Sequence, residues 1–451
     1  MKKFKPPVAV KIIFSFLVVI LVGTFFLCLP ISSADGKWFS FVDSFFVSTS
    51  AVCVTGLTTV DLAVHFSLFG KIVIMLLIQI GGLGFVTISS LMIMMFGKRL
   101  SFEQRLTLKE AFNKDDNQGV VRELIKIVLI TLIVEFVGFV CLVPSLAVKY
   151  GFWSGAFKAL FLSISAFCNS GMDLFGTQDN MFAGMSVFSR NVLVLIPVIL
   201  LIIVGSVGFI VIYDIIRKKN PKEKRKLSFH SVLVLSITGI LVFGGAILFM
   251  IFEWNNPQTI GDMNFGQKLV NGFFQSVTPR TAGFATFNQG AMTSESKVLT
   301  TVLMFIGGSP VSTAGGIKTT TMLVLILYIF KMPNKNGGLV FRKRNISSSI
   351  LHRCLKLFLI MMSTIFVGSC IIIAIEGSTF GVSAVVFEVV SALCTTGLTF
   401  GITPLLNVGS KLIICLLMFA GRVGLLTFAM LIGRKSQNME IEYPDSKIIV
   451  S

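Results

Sequence analysis

The sequence predicts an all-α integral membrane protein with four parallel M1–pore helix–M2 repeats around a central pore, comprising eight transmembrane helices and four re-entrant pore helices. Three observations predict it. Of the 451 residues, 54% are hydrophobic and only 13% charged, whereas soluble domains run at roughly 45–50% apolar and about 25% charged. The basic residues gather between apolar runs. One arrangement of long run, short run, glycine and long run occurs four times.

At ~20 apolar residues per crossing, a chain of this length has room for roughly eight to ten spans. The net charge of +18 comes from 39 basic and 21 acidic residues. Of the 39, 28 lie in segments 1–11, 98–126, 217–226, 331–356 and 434–447. Acids such as Asp35, Asp43, Asp61, Asp173, Asp179, Glu253, Asp262 and Glu295 sit in the stretches between them. The excess of Lys and Arg in cytoplasmic loops therefore places these clusters and both termini in the cytoplasm, in a multi-pass protein of the cell (plasma) membrane. This distribution fits a lipid bilayer as partner and no nucleic acid. Lys2, Lys3 and Lys5 precede an apolar run from Val8 to Leu29. That run is long for a signal-peptide core and has no Ala-x-Ala site, so it reads as a retained first span.

The outgoing spans fall near 8–30, 124–148, 231–252 and 351–375. The returning spans fall near 67–96, 187–216, 297–330 and 410–433. Between them lie apolar runs too short to cross, near 39–50, 153–165, 266–276 and 381–391. A run of 10–14 apolar residues suggests a re-entrant segment, and its irregular backbone must line a cavity or be buried in protein. The expected organisation is repeat 1 over 1–97, a cytoplasmic linker over 98–123, repeat 2 over 124–217 and a linker over 218–230. Repeat 3 follows over 231–331 with an intramembrane loop at 307–320, then a linker over 332–350, repeat 4 over 351–434 and a cytoplasmic tail over 435–451.

The short runs end alike: Ser50-Ala51-Val52-Cys53-Val54-Thr55-Gly56-Leu57, Ser165-Ala166-Phe167-Cys168-Asn169-Ser170-Gly171-Met172, Val277-Thr278-Pro279-Arg280-Thr281-Ala282-Gly283-Phe284 and Ser391-Ala392-Leu393-Cys394-Thr395-Thr396-Gly397-Leu398. Their glycines are 115, 112 and 114 residues apart, the mark of duplicated units. A second mark recurs in the returning spans at Gly81-Gly82-Leu83-Gly84, Gly205-Ser206-Val207-Gly208, Gly307-Gly308-Ser309-Pro310 and Gly421-Arg422-Val423-Gly424.

A short helix dipping in from outside turns its negative C-terminal end, about −0.5 of an elementary charge, toward the bilayer centre. Rings of backbone carbonyls can replace a cation's hydration shell, and glycine permits the φ > 0 backbone such a strand needs. The candidate selectivity filter is therefore Val54, Thr55, Gly56, Asn169, Ser170, Gly171, Thr281, Ala282, Gly283, Thr395, Thr396 and Gly397. The third returning span is too long for one crossing, and its Gly/Ser/Thr-rich middle with Pro310 is a poor helix. Arg422, aligned with Gly82 and Ser206, is costly at a helix centre and needs partners, which the carbonyls freed by that break would supply. Candidate gating residues are Gly307, Gly308, Ser312, Thr313, Gly315, Gly316, Lys318 and Arg422.

These motifs resemble the Trk/Ktr/HKT superfamily of potassium transporters, most nearly the membrane subunit of bacterial Ktr systems (KtrB/KtrD). The specific pieces are Val54-Thr55-Gly56-Leu57, the run from Gln275 to Phe284 and the run from Ser312 to Thr320; the resemblance reaches the tail Tyr443-Pro444-Asp445. It implies potassium as substrate, sodium as an activator or co-ion, a homodimer with one pore per subunit, and a cytosolic nucleotide-binding ring subunit (KtrA/KtrC-like) that gates the pore. No cofactor is expected in this chain. A sodium- or proton-coupled potassium symporter is the alternative within transport. A membrane-embedded enzyme needs a nucleophile–base or metal constellation, and three scattered His (65, 230, 352) do not supply one.

Other features read as structural. The eight Cys (28, 53, 141, 168, 354, 370, 394, 415) lie in or beside apolar runs without CxxC pairs and are expected to be small buried hydrophobes. Gly315-Gly316-Ile317-Lys318-Thr319 fails the phosphate-loop pattern because Ile317 separates glycine from lysine. Glu135, inside an outgoing span, is expected to pair with a neighbouring span. Arg217 to Lys226 reads as an anchor beside anionic lipid.

Overall fold

The computed structural model describes residues 8–84, 120–218, 227–331, 338–341 and 344–424, with the single positions 87, 90 and 94. Most of the expected linker 98–123, residues 219–226, 332–337 and 342–343 of the other two linkers, and the tail 435–451 lie outside the described residues.

The described chain is almost entirely helical. Its elements are α1 (Val8–Cys28), α2 (Phe41–Cys53), α3 (Leu62–His65), α4 (Leu68–Leu83), α5 (Val120–Tyr150), α6 (Phe152–Phe167), α7 (Val192–Val207), α8 (Phe209–Lys218), α9 (Phe229–Glu253), α10 (Phe265–Val277), α11 (Ser294–Phe305), α12 (Thr319–Phe330), α13 (Ser348–Glu376), α14 (Val382–Leu393) and α15 (Val408–Val423). A small hairpin, β1 (Leu339–Phe341) and β2 (Arg344–Ile346), pairs Leu339 with Ile346 ahead of α13. By length and composition, α5 from Leu124, α9 and α13 are each apolar enough to cross a membrane, and the bent pair α7–α8 makes a fourth candidate among the described residues.

Local chemistry places the helix starts. Ser40, Ser67, Asn191, Ser228, Asn264 and Thr293 each accept a backbone N–H at a helix N-terminus, satisfying donors that the first turn leaves free. Asn264 and Gln267 close a capping box. In two units the C-terminal end of the long helix is tied to the start of the later one. Glu253, wholly buried, accepts from Thr293 N and Oγ1 (2.8 and 2.9 Å), Asn256 Nδ2 (2.7 Å) and Thr259 Oγ1 (2.7 Å). Glu376 accepts from Asn407 N (2.9 Å) and Nδ2 (3.0 Å).

Packing follows chain order around a circle. Each short helix packs between its own flanking helices, as α2 does with α1 and α4, α6 with α5 and α7, α10 with α9 and α11, and α14 with α13 and α15. Each returning helix also meets the next short helix: α4 packs on α6, α7 on α10, α11 on α14, and α15 back on α2. The circle closes.

Three expectations need correction. The second returning run, read over 187–216 as one span, starts only at Val192 and turns by 99° at Gly208, whose φ of +97° ends the helix. The broken stretch in the third unit runs from Ile306 to Lys318, so Thr319 and Thr320 belong to α12 rather than to a loop over 307–320. Cys141 and Cys370 are exposed, not buried. Both sit on outward faces of long apolar helices, where a membrane protein covers apolar side chains with lipid. All eight Cys are free thiols.

Candidate ion-conduction site

The four short helices end on the repeated motif, and the backbone after each takes the same unusual course. Val54, Asn169, Thr281 and Thr395 have φ of 55°, 59°, 70° and 52°. At the β-branched Val54, Thr281 and Thr395 this left-handed backbone is strained, and such strain persists only where surroundings impose it, whereas Asn169 is of a type that adopts it readily. Gly56, Gly171, Gly283 and Gly397 follow two residues later with φ of 98°, 72°, 79° and 90°.

A Cβ on Gly56 would collide with the carbonyl oxygen of Ser170, on Gly171 with that of Ala282, on Gly283 with that of Thr396, and on Gly397 with that of Thr55. Each glycine thus lies against the carbonyl preceding the glycine of the next segment, and the fourth lies against the first. Eight of the twelve residues expected as a filter, the four glycines and the residue before each, make this closed ring of contacts. Its hydroxyl and amide oxygens are also unusual. Thr55 Oγ1, Ser170 Oγ, Thr281 Oγ1, Thr395 Oγ1, Thr396 Oγ1 and Asn169 Oδ1 are buried without a hydrogen-bond partner among the described residues.

Residues outside the expected set hold the ring. Ser50 Oγ accepts from Gly56 N and Ser391 Oγ from Gly397 N, both at 3.0 Å. Ser165 Oγ donates to Met172 O at 2.6 Å, and Thr278 Oγ1 to Phe284 O at 2.7 Å. The signal for the three serines was in the repeated Ser-Ala-x-Cys. In the third unit the hydroxyl moves one place along, to Thr278.

On one side the ring glycines line a cavity of about 440 Å³ that also takes in Asp61 and Asp173. Asp61 accepts from Ala63 N (2.8 Å) and Phe182 N (2.6 Å), which folds the loop after Gly171 over the cavity. Asp173, outside the long helices, accepts from Phe175 N at 3.1 Å. Burial pushes its pKa up to about 7, against the Phe175 hydrogen bond and with Asp61 reinforcing the rise and Lys158 opposing it.

On the other side, Ser312, Gly315, Lys318 and Arg422 line a second cavity of about 340 Å³. The broken stretch of the third unit satisfies its backbone by borrowing from the second. Phe209 N donates to Val311 O and Ser309 N to Ser206 O (both 3.0 Å), while Thr313 Oγ1 donates to Phe167 O (3.2 Å) and Gly205 O (3.1 Å). Asn169 Nδ2, from the ring segment, donates to Thr313 Oγ1 at 3.0 Å. Lys318 Nζ closes the loop onto Ala314 O at 2.6 Å. Arg422 donates to Thr313 O and to Gly81 O, joining the loop to the end of α4. A Cβ on Gly307 or Gly308 would strike Gly315 or Ala314, so these glycines allow the fold-back.

The remaining candidates are structural. Glu135 accepts from Gln79 Nε2 of α4 at 3.1 Å, a hydrogen bond across helices. Among the described residues no group of His, Cys, Asp or Glu could hold a metal ion.

Residues 7–441 match the family model described as TrkH: Cation transport protein. The chain belongs to this family. Over 96% of the chain and 95% of the relative it is 38% identical to the potassium/sodium uptake protein NtpJ of Enterococcus hirae. Over 99% and 97% it is 36% identical to the Ktr system potassium uptake protein B of Bacillus subtilis. The crystal structure of the potassium transporter TrkH from Vibrio parahaemolyticus shares the fold, with a TM-score of 0.71 at 18% identity over 96% of this chain and 86% of that one. TrkH-family membership makes this a membrane transport protein and gives no indication of catalysis.

Two expectations follow from this geometry in a TrkH-family chain. Gly283→Ser and Gly397→Ser put a side chain onto a neighbouring carbonyl at a backbone angle L residues avoid. Each should lower cation uptake at least tenfold and weaken discrimination between potassium and sodium, measured by competition uptake on protein that still reaches the membrane. Asp173 loses its charge as pH falls through about 7, removing a negative charge from the cavity that the ring glycines line. Uptake should fall as the pH on that side drops from 8 to 6, and Asp173→Asn should flatten the profile at its low end.

Proposed function

We propose that this chain takes up potassium across the plasma membrane through a channel-like pore whose selectivity filter is the four-segment ring. The observation that carries the reading is the closed contact of each ring glycine with the next segment's carbonyl, beside buried oxygens that no donor among the described residues uses. A cation at the centre of such a ring exchanges water for carbonyl and hydroxyl oxygens. The four short helices aim the negative ends of their dipoles at the same place. Membership of a cation transport family and the names of the NtpJ and Ktr relatives support potassium, with sodium as activator or co-ion.

On this reading the chain has four repeats with the boundaries given above, eight spans and four re-entrant helices, with both termini cytoplasmic. The Asp61–Asp173 cavity then faces outward and the Arg422 cavity inward. The loop at 306–318, held by Arg422 and Lys318, obstructs the path below the ring. The Ktr relatives are named as parts of a system, which supports a partner subunit; we propose that this partner is a cytosolic nucleotide-binding ring that moves the loop, acting on a homodimer of this chain.

Expression in cells lacking potassium uptake tests the function. Together with a Ktr-type cytosolic subunit the chain should restore growth at micromolar to millimolar potassium, and failure would remove the reading. Uptake that stops when sodium and proton gradients are collapsed would mean coupled transport. Shortening the loop within 311–317, or Arg422→Ala, should raise flux severalfold and lessen its dependence on the partner. A shortened protein, inserted normally and conducting no faster, would show that the loop is not the gate.

A further inference from the structure

The ring is fourfold in its glycines but not in the residues behind them. Three positions before each ring glycine stand Cys53, Cys168, Arg280 and Cys394. The three cysteines are fully buried and Arg280 is 1% exposed, the largest side chain buried to that degree. Three of the four places thus hold a small neutral thiol, and the third unit puts a guanidinium there.

That guanidinium is poorly matched. Its one hydrogen bond among the described residues is a long contact from Nη2 to Thr238 Oγ1 of α9, at 3.5 Å. Nε and Nη1 have no partner among the described residues, and no carboxylate there forms an ion pair with it. A guanidinium does not shed its proton in a protein, and burying such a charge without a counter-ion is expensive. The third unit also differs in what covers this place. In units one, two and four, a hinge glycine (Gly81, Gly205, Gly421) abuts the carbonyl of the residue before the cysteine, at Val52, Phe167 and Leu393. Gly307 instead abuts Gly315 of the folded-back loop.

We propose that Arg280 is a positioned fixed charge that weakens cation binding in the ring and so speeds release. This rests on the reading of the ring as a cation site. Three residues of chain span at most about 11 Å, so the Arg280 backbone lies within that distance of Gly283. At an effective dielectric of about 20, two like charges roughly 10–15 Å apart repel enough to change an affinity about six- to seventeenfold. The sign is useful. A ring whose strained strands and convergent helix dipoles all favour a cation binds it too well to pass it on, and conduction needs a site weak enough to leave. A charge behind one strand lowers occupancy without occupying the path. Because it acts through the field, it affects all monovalent cations alike, whereas discrimination between them belongs to the ring oxygens.

The test is titration of the purified full-length chain with potassium chloride, rubidium chloride and sodium chloride, comparing the parent with Arg280→Cys, Arg280→Gln and Arg280→Lys. Arg280→Cys restores the residue type found at the other three places, and Arg280→Gln is a second neutral variant of different shape. Both should bind potassium about six- to seventeenfold more tightly than the parent, with sodium shifted by the same factor and the ratio between the ions kept. Arg280→Lys, which keeps the charge, should bind like the parent. Unchanged affinity in the two neutral variants would overturn the proposal. A lysine variant shifted as far as the neutral ones, or a changed potassium-to-sodium ratio, would make the residue one of shape rather than charge. A folded parent that binds none of the three cations would instead remove the ring itself as a cation site.

Discussion

Four non-helical backbone segments, each folded back on the short helix it leaves, position one another by closing into a ring. Inside a membrane an unpaired N–H or C=O costs several kcal/mol, so a non-helical stretch there survives only in company. The N–H groups of the four segments turn back onto the short helices they leave, Thr55 N to Ser50 O, Ser170 N to Ser165 O, Ala282 N to Thr278 O and Thr396 N to Ser391 O, while the close approaches of Gly56 to Ser170, Gly171 to Ala282, Gly283 to Thr396 and Gly397 to Thr55 set the segments side by side. The strained left-handed turns at Val54, Thr281 and Thr395, matched by Asn169 in the second unit, have no reason to persist alone. The circular packing of each returning helix on the next short helix holds the turns in place, and Ser50, Ser165, Thr278 and Ser391 clamp them to the helices they leave.

The same constraint explains the broken helix. Once α11 stops at Phe305, some thirteen residues of backbone must find partners before α12 begins. They take them from α7, whose own turn at Gly208 frees Gly205 and Ser206 carbonyls for Thr313 and Ser309. Two breaks in different units therefore form one hydrogen-bonded structure, and Arg422 ties it to a third at Gly81. A segment held by borrowed backbone bonds, with two cationic side chains resting on carbonyls, can move as a unit if the borrowed bonds have an alternative. That property suits a gate better than a continuous helix would.

Charge is distributed with a comparable logic. Acids stand in the cavity on one side of the ring, at Asp61 and Asp173, and basic groups stand in the cavity on the other, at Lys318 and Arg422. Arg280 adds a charge behind the ring. On the proposed reading an entering cation meets attraction, then a tuned site, then a positive obstruction, an order that favours filling the outer cavity while the inner side is closed.

Much of this was legible in the chain because it rests on local or periodic signals. Hydrophobic runs of different length separated the long helices from the short ones, and the observed α2, α6, α10 and α14 fall within three residues of the runs at 39–50, 153–165, 266–276 and 381–391. A period of 112–115 residues marked the glycines, and the Gly/Ser/Thr content around Pro310 marked the break. What the tertiary structure decided was who meets whom. No local signal shows that Gly56 faces Ser170 rather than Thr396, that α7 bends by 99° to receive a loop from another unit, or that Thr278 takes over the serine's place. The outward exposure of Cys141 and Cys370 likewise depends on which helix face the neighbours cover. Periodicity in a sequence counts units, but the order in which they touch is set by packing between residues more than a hundred positions apart.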